Sequence, residues 1–279
     1  MMFGMVLGQH GRMTTVRKMI VALACLVGLA VVVDFSAAAY TEYRVSRALR
    51  DGADLSADPE VTVQGFPFLT QAYDGKYRVV DIRARGLRAD IVGEIMIEVT
   101  LRGVRLPLSS VFDGNVSKVP VDRIDGRMTI EATELGQLFG IPDLTVSAAP
   151  ADKSDGTGGS GGSGMTTAGA IVLSGKVPLG LVKKEVSVQA ELRLDGQRVQ
   201  VVASNLYVRP GEKPDLSIAE VDRPAILAQF TKTIDTNQLP FGMLPTKASA
   251  QGSRIVIEAT GDNAVIDLDQ LQRQLSAAR

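Results

Sequence analysis

The segment Glu94 to Arg102 alternates: Ile95, Ile97, Val99 and Leu101 are apolar, while Glu94, Glu98, Thr100 and Arg102 are not. Side chains along a strand point to opposite faces in turn, so this pattern predicts a strand buried on one face. One-sided burial is characteristic of antiparallel sheets. Val186, Val188, Ala190, Leu192 and Leu194 repeat the pattern against Glu185, Ser187, Gln189, Glu191 and Arg193. Asp195-Gly196 and a further strand, Val199 to Ala203, follow, which is a hairpin signal. Asp74-Gly75 and Asp125-Gly126 read as similar turns, and Arg254 to Thr260 alternates again with Ile255, Ile257 and Ala259 inward.

Few helices are expected beside these strands. Thr41 to Arg50 carries Val45, Ala48 and Leu49 on one stripe. Thr133 is placed to cap a segment with Leu135, Leu138 and Phe139 on one side, closed by Gly140 and Pro142. Asp222 is placed to cap another, with Pro224 in its first turn and Ile226, Leu227, Phe230 and Ile234 inward. The predicted class is therefore α+β.

The N-terminus carries a different signal. Arg12, Arg17 and Lys18 precede Met19 to Val33, an uncharged apolar run. That order of charge and hydrophobicity predicts export, and the positive-inside rule places everything after residue 40 outside the cytoplasm. Ala37-Ala38-Ala39 provides a small-residue cleavage site, whereas adding Phe35 to Tyr40 brings the run near the ~20 residues that span a bilayer. Both a cleaved signal peptide and a retained anchor fit. Cys25 is followed by Leu26, Val27 and Leu29, so it sits inside the apolar run instead of at its edge, where a lipidated cysteine belongs.

Residues 152–164, Asp-Lys-Ser-Asp followed by a Gly/Ser-rich tract, have the composition of a flexible linker. Each flanking half would make a small domain, so the expected organisation is residues 1–40 as cytoplasmic tail with signal or anchor, then a single domain, 41–279, with a surface loop at 152–164. The halves echo one another: Gly65-Phe66-Pro67-Phe68 leads into a strand ending at Gly86, and Leu239-Pro240-Phe241 into one ending at Gly261. This suggests a duplicated unit.

Composition excludes several chemistries. The sole His, His10, precedes the export segment and the sole Cys lies within it. Triads built on His, His-ligated zinc and Cys-ligated clusters are thus closed to the exported part. With a formal net charge of −1 and aromatics at 5%, neither a general attraction to nucleic acid nor stacking platforms are supplied. Asp122 with Asp125, and Asp262 or Asp269 with Asp267, could supply carboxylates for catalysis or Ca²⁺, but they read as solvated turns and strand edges. No catalytic residue, metal or cofactor is expected, and the chain reads as a non-enzyme.

What remains is a binding surface for an amphiphile. Phe66, Pro67, Phe68 and Leu69 stand just ahead of Lys76, Arg78, Arg83, Arg85 and Arg88. Pro67 forbids a ladder hydrogen bond and marks an edge, bulge or bend, the place where a groove opens. Leu106-Pro107-Leu108 and the stretch through Phe241 and Met243 add further Pro-interrupted apolar turns. Phe66, Phe68, Leu69, Phe241 and Met243 are the candidate wall for acyl chains; Arg83, Arg85 and Arg88 are the candidate rim for an anionic head group. The competing reading makes the phenylalanines ordinary core and the arginines a solvated, charge-balanced face.

The string Gly65-Phe66-Pro67-Phe68-Leu69-Thr70-Gln71, the helix from Asp34 to Arg50 and the segment Leu239 to Gly261 resemble the actinobacterial cell-envelope lipid-binding family that includes the lipomannan-elongation factor LmeA. The resemblance implies a tubular lipid-binding-like fold, a long curved antiparallel sheet wrapped against helices. It further implies a phosphatidylinositol-type phospholipid as ligand, association with the plasma membrane at its outer side, and support of mannan elongation on lipomannan and lipoarabinomannan. The rival reading, which names an envelope glycosyltransferase as protein partner, is a non-catalytic scaffold that presents its sheet to that enzyme without binding lipid.

Overall fold

A computed structural model describes residues 10–53, 57–89, 93–107, 109–110, 118–148, 170–179, 182–196, 198–207, 218, 220–235 and 243–267, with side chains described for all but 10–15, 51–53, 86–89, 93, 94 and 235. The Gly/Ser tract lies outside the described residues. The described residues begin with a single helix, α1 (His10–Ala53). Its apolar stretch falls within Val16–Arg50, which is long and apolar enough to cross a membrane. The expected helix at Thr41 to Arg50 is not a separate element but the end of α1.

Among the described residues, eleven strands follow in antiparallel sheets. The first is 6-stranded, in the order β1 (Glu60–Gln64), β2 (Lys76–Ala89), β3 (Gly93–Arg105), β4 (Lys118–Glu131), β11 (Arg254–Asp267), β10 (Leu244–Gln251). The second is 5-stranded, β5 (Thr145–Ala148), β6 (Ala170–Leu179), β7 (Val182–Asp195), β8 (Arg198–Leu206), β9 (Lys232–Asp235). The last strands of the chain therefore complete the first sheet, with β11 paired to β4 along its whole length. Helix α3 (Ala132–Phe139) carries the chain from one sheet to the other, burying Leu135 and Phe139. The architecture is α+β, as the alternation of apolar residues implies.

Period-two patterning sets the register. Ala84, Ile97, Met128, Ile257 and Ala248 are partners across successive strands and all are buried. One residue along, Glu60, Arg83, Glu98, Arg127, Glu258 and Lys247 form a row that alternates in charge across the whole sheet. A slip by one position would bury this row and expose the aliphatic one, so the register is strongly determined.

Three local expectations are corrected. Asp125-Gly126 is not a turn but the middle of β4. A Cβ at Gly126 would lie 2.6 Å from both Sδ and Cε of Met243, so glycine is there to admit that side chain. The helix after Asp222, α4 (Arg223–Gln229), buries Ile226, but Ile234 belongs to strand β9. Neither α3 nor α4 is capped by the side chain of the residue before it: Glu131, not Thr133, precedes α3, and Asp222 precedes α4 without capping it.

The segment after Pro67 is likewise no strand. Phe68–Asp74 forms α2, closed by Gly75 at φ 62°, and β2 begins only at Lys76. Gly75 fulfils the turn expectation for Asp74-Gly75, a left-handed C-cap that a residue with a Cβ enters at a cost.

Candidate lipid-binding site

Helix α2 has no cap of its own, because Pro67 precedes it and no side chain there bonds its first amides. The cap comes from α1. Asp34 accepts hydrogen bonds from the backbone N–H groups of Phe68 and Leu69, both at 2.8 Å, and is itself buried. A carboxylate at a helix N-terminus satisfies orphan donors and meets the positive end of the peptide dipoles. Further along α1, Glu42 accepts from the Val63 N–H at 2.7 Å, Ser46 donates to the Pro59 carbonyl at 2.6 Å, and Arg50 pairs with Asp58 at 3.1 Å. Helix α1 is thus stitched along the edge strand β1, and Ala37, Ala38, Val45 and Leu49 pack on the core.

This docking fixes what surrounds α2. Phe68 turns inward, buried, with its ring 6.2 Å from that of Tyr77. Phe66 turns outward and stacks on Phe35 of α1, centroids 6.1 Å apart. Leu69 and Tyr73 are also exposed. At the C-terminal end of α2, where β2 starts and β3 ends, a hollow of ≈ 490 Å³ opens to the outside. Ala72, Tyr73, Leu106 and Pro107 form its apolar wall; Lys76 and Arg105, paired across the strand ladder, stand at its rim with Asp74 and Ser109. Arg105 also bonds Asp122. The Leu106 N–H donates to the Gly75 carbonyl at 2.9 Å, which holds the Pro107 turn against the end of α2.

The residues singled out from sequence fall in different places. Phe68 and Met243 are core, each 3% exposed, and Met243 lies over Gly126 on the buried face of the first sheet. Phe66 and Leu69 are on the surface beside α1. Arg83 lies on the opposite, exposed face, its guanidinium 3.3 Å from Glu98 and 3.7 Å from Glu60. Arg85 is exposed on that strand as well, while the side chain of Arg88 and all of Phe241 lie outside the described residues. Structure therefore joins Phe66, Leu69 and Phe68 around one short helix but does not bring Arg83 to them. Lys76, noted only as a neighbour of the arginines, and Arg105 with Leu106 and Pro107 are the residues at the hollow. Only the Pro-interrupted apolar turn at 106–108 hinted at them.

A long apolar helix capping a short helix at the end of an antiparallel sheet, beside a hollow that pairs apolar residues with two cations, defines the class of the chain, an α+β protein with an amphiphilic site. Comparison with known families agrees. The chain matches the family described as LmeA-like phospholipid-binding over residues 32–260, most of its length, and it belongs to that family. No curated protein and no solved structure is similar enough to be matched. The matched region begins just ahead of Asp34 and so spans the capping position.

Proposed function

We propose that this chain is an exported phospholipid-binding protein that stays on the plasma membrane through α1 and holds an anionic phospholipid in the hollow beside α2. The observation that carries the reading is the juxtaposition of Lys76 and Arg105 with Tyr73, Leu106 and Pro107 around a single hollow. Its volume lies within the roughly 300–1,000 Å³ range of small-molecule sites. A phosphate meets the two cations at the rim, and the first methylenes of the acyl chains lie on the apolar wall, each contributing about 0.8 kcal/mol when removed from water.

Export follows from Arg12, Arg17 and Lys18 ahead of the apolar run. Retention of α1 is favoured by Asp34: cleavage after Ala39 would take the acceptor of the Phe68 and Leu69 amides away from the domain. Phosphatidylinositol-type lipid as ligand and support of mannan elongation on lipoglycans follow the resemblance in the Gly65 to Gln71 string, and an envelope glycosyltransferase is the partner that such support would need.

The test is lipid extraction from the full chain purified in detergent and washed with excess detergent. The expected result is copurified anionic phospholipid seen by native mass spectrometry and lost in Lys76→Glu. A lipid-free protein, or equal retention of zwitterionic lipid by wild type and Lys76→Glu, contradicts the reading and favours the scaffold role.

A further inference from the structure

We infer that the Phe66 to Tyr73 tip is a membrane-seating element, which enters the leaflet on the domain's side of the bilayer that α1 crosses. This rests on the anchor reading of α1 and extends it to the domain itself. Phe66, Leu69 and Tyr73 are 56%, 44% and 91% exposed, an unusual density of large apolar groups on one short segment. Phe35, 62% exposed, continues the patch from α1 and stacks on Phe66.

Position decides the occupant. A helix rises about 1.5 Å per residue, so Lys18 and Asp34 are about 24 Å apart along α1, against a hydrocarbon core of about 30 Å. Asp34 therefore stands near the boundary where the bilayer gives way to head groups. Its carboxylate is removed from lipid by the Phe68 and Leu69 amides. Those same two bonds place the tip at the level of Asp34, and α1 runs on as unbroken helix to Ala53, so no flexible spacer separates the domain from the bilayer surface. Aromatic side chains are enriched at that depth, where an apolar ring and a polar hydroxyl such as that of Tyr73 find matching surroundings. Water would be the alternative contact, and a lipid boundary removes apolar surface from it. The hollow opens at the other end of α2, so a lipid entering it would come from the leaflet without crossing water.

The chain has no Trp, so a single introduced indole reports one site. Four full-chain variants, Phe66→Trp, Tyr73→Trp, Val27→Trp within α1 and Ser253→Trp at the opposite end of the first sheet, are reconstituted into phosphatidylcholine bilayers with or without brominated acyl chains. The inference expects F66W and Y73W to emit at shorter wavelength than S253W and to lose most of their intensity in brominated lipid, with S253W unaffected. Both positions are exposed and the indole keeps an aromatic ring at each, so the fold is retained; Tyr73 also lines the hollow, so F66W, which stands beside Phe35 and away from it, decides the seating. Loss of emission in V27W with none in F66W or Y73W overturns the seating and leaves the anchor standing. If V27W is unaffected, α1 is not in the bilayer, and both the anchor reading and the seating fall.

Discussion

Asp34 accepts a hydrogen bond from the Phe68 backbone N–H at 2.8 Å, across 34 positions of chain. One carboxylate thereby joins the end of the apolar run to the first turn of α2 and to the wall of the core. The relationship accounts for why a charged residue interrupts an otherwise apolar helix: it is a remote helix cap, buried by the domain that it organises.

Removing that cap leaves two amides unsatisfied in a largely buried setting. Asp34→Ala is expected to lower stability by about 1–3 kcal/mol, and Asp34→Asn, which keeps one acceptor oxygen, by less. Thermal melts of the full chain in detergent check this; equal melting temperatures for wild type and Asp34→Ala contradict it.

Gly126 and Met243 form a testable pair. Gly126→Ala places a methyl group against the Met243 thioether, at a cost of about 1–3 kcal/mol if the side chain is forced aside. Met243→Ala removes the obstacle, so the double variant should be more stable than the sum of the two single losses allows. Additive losses in denaturant titrations would show that the two do not meet.

The charged row across the first sheet contributes little stability. Arg127 pairs with Glu258 at 3.3 Å, and both side chains are substantially exposed. Arg127→Ala is expected to cost less than about 1 kcal/mol, and that loss should shrink in high salt. Arg83→Ala is expected to leave lipid retention unchanged, because Arg83 does not line the hollow and lies on the exposed face of the sheet between Glu60 and Glu98. Loss of lipid in Arg83→Ala with retention in Lys76→Glu would move the head-group site to the exposed face.

Tyr77 is buried, and its hydroxyl has no hydrogen-bond partner among the described residues. Burial raises its pKa above the ordinary tyrosine value. The neutral phenol is favoured in the folded chain, so stability is unaffected below about pH 10, the unfolded pKa, and falls as pH rises through the folded one. Tyr77→Phe should remove this alkaline loss and be neutral or stabilising at pH 7. A lower midpoint for the variant at pH 7 would reveal a partner for the hydroxyl.

Asp143 titrates in the opposite sense. Its carboxylate accepts the Lys176 N–H at 3.1 Å, which lowers its pKa, with the Lys176 ammonium adding to the effect. The stabilisation is present above the unfolded value of about 3.9 and is lost as pH falls through the depressed folded value. Melting curves of wild type and Asp143→Asn should therefore differ at neutral pH and converge in acid.

Half-buried strands were the legible part of this fold. From Ile95 to Leu101 in β3 and from Val186 to Leu194 in β7 every second residue is aliphatic, and a period of two survives any arrangement of the rest of the chain. Helix α2 was not legible, since seven residues following a proline carry little periodicity and their cap lies in another element. Asp125-Gly126 misled for a related reason: the dipeptide is a turn signal locally, and only the approach of Met243 from a distant segment explains glycine within a strand. Which arginine stands at the hollow was equally hidden, because Lys76 and Arg105 become neighbours only through strand register. Phe66 and Leu69 drew notice for their apolarity, but whether such residues face core or surroundings is decided by how α1 docks.

The most direct measurement of where lipid resides is photo-crosslinking of the full chain, in membranes, with an anionic phospholipid carrying a photoactivatable group near its glycerol. The account predicts adducts on peptides containing Ala72 to Lys76 and Arg105 to Pro107, diminished in Lys76→Glu. Adducts confined to α1 or to the strands of the second sheet, unchanged by that substitution, would contradict it.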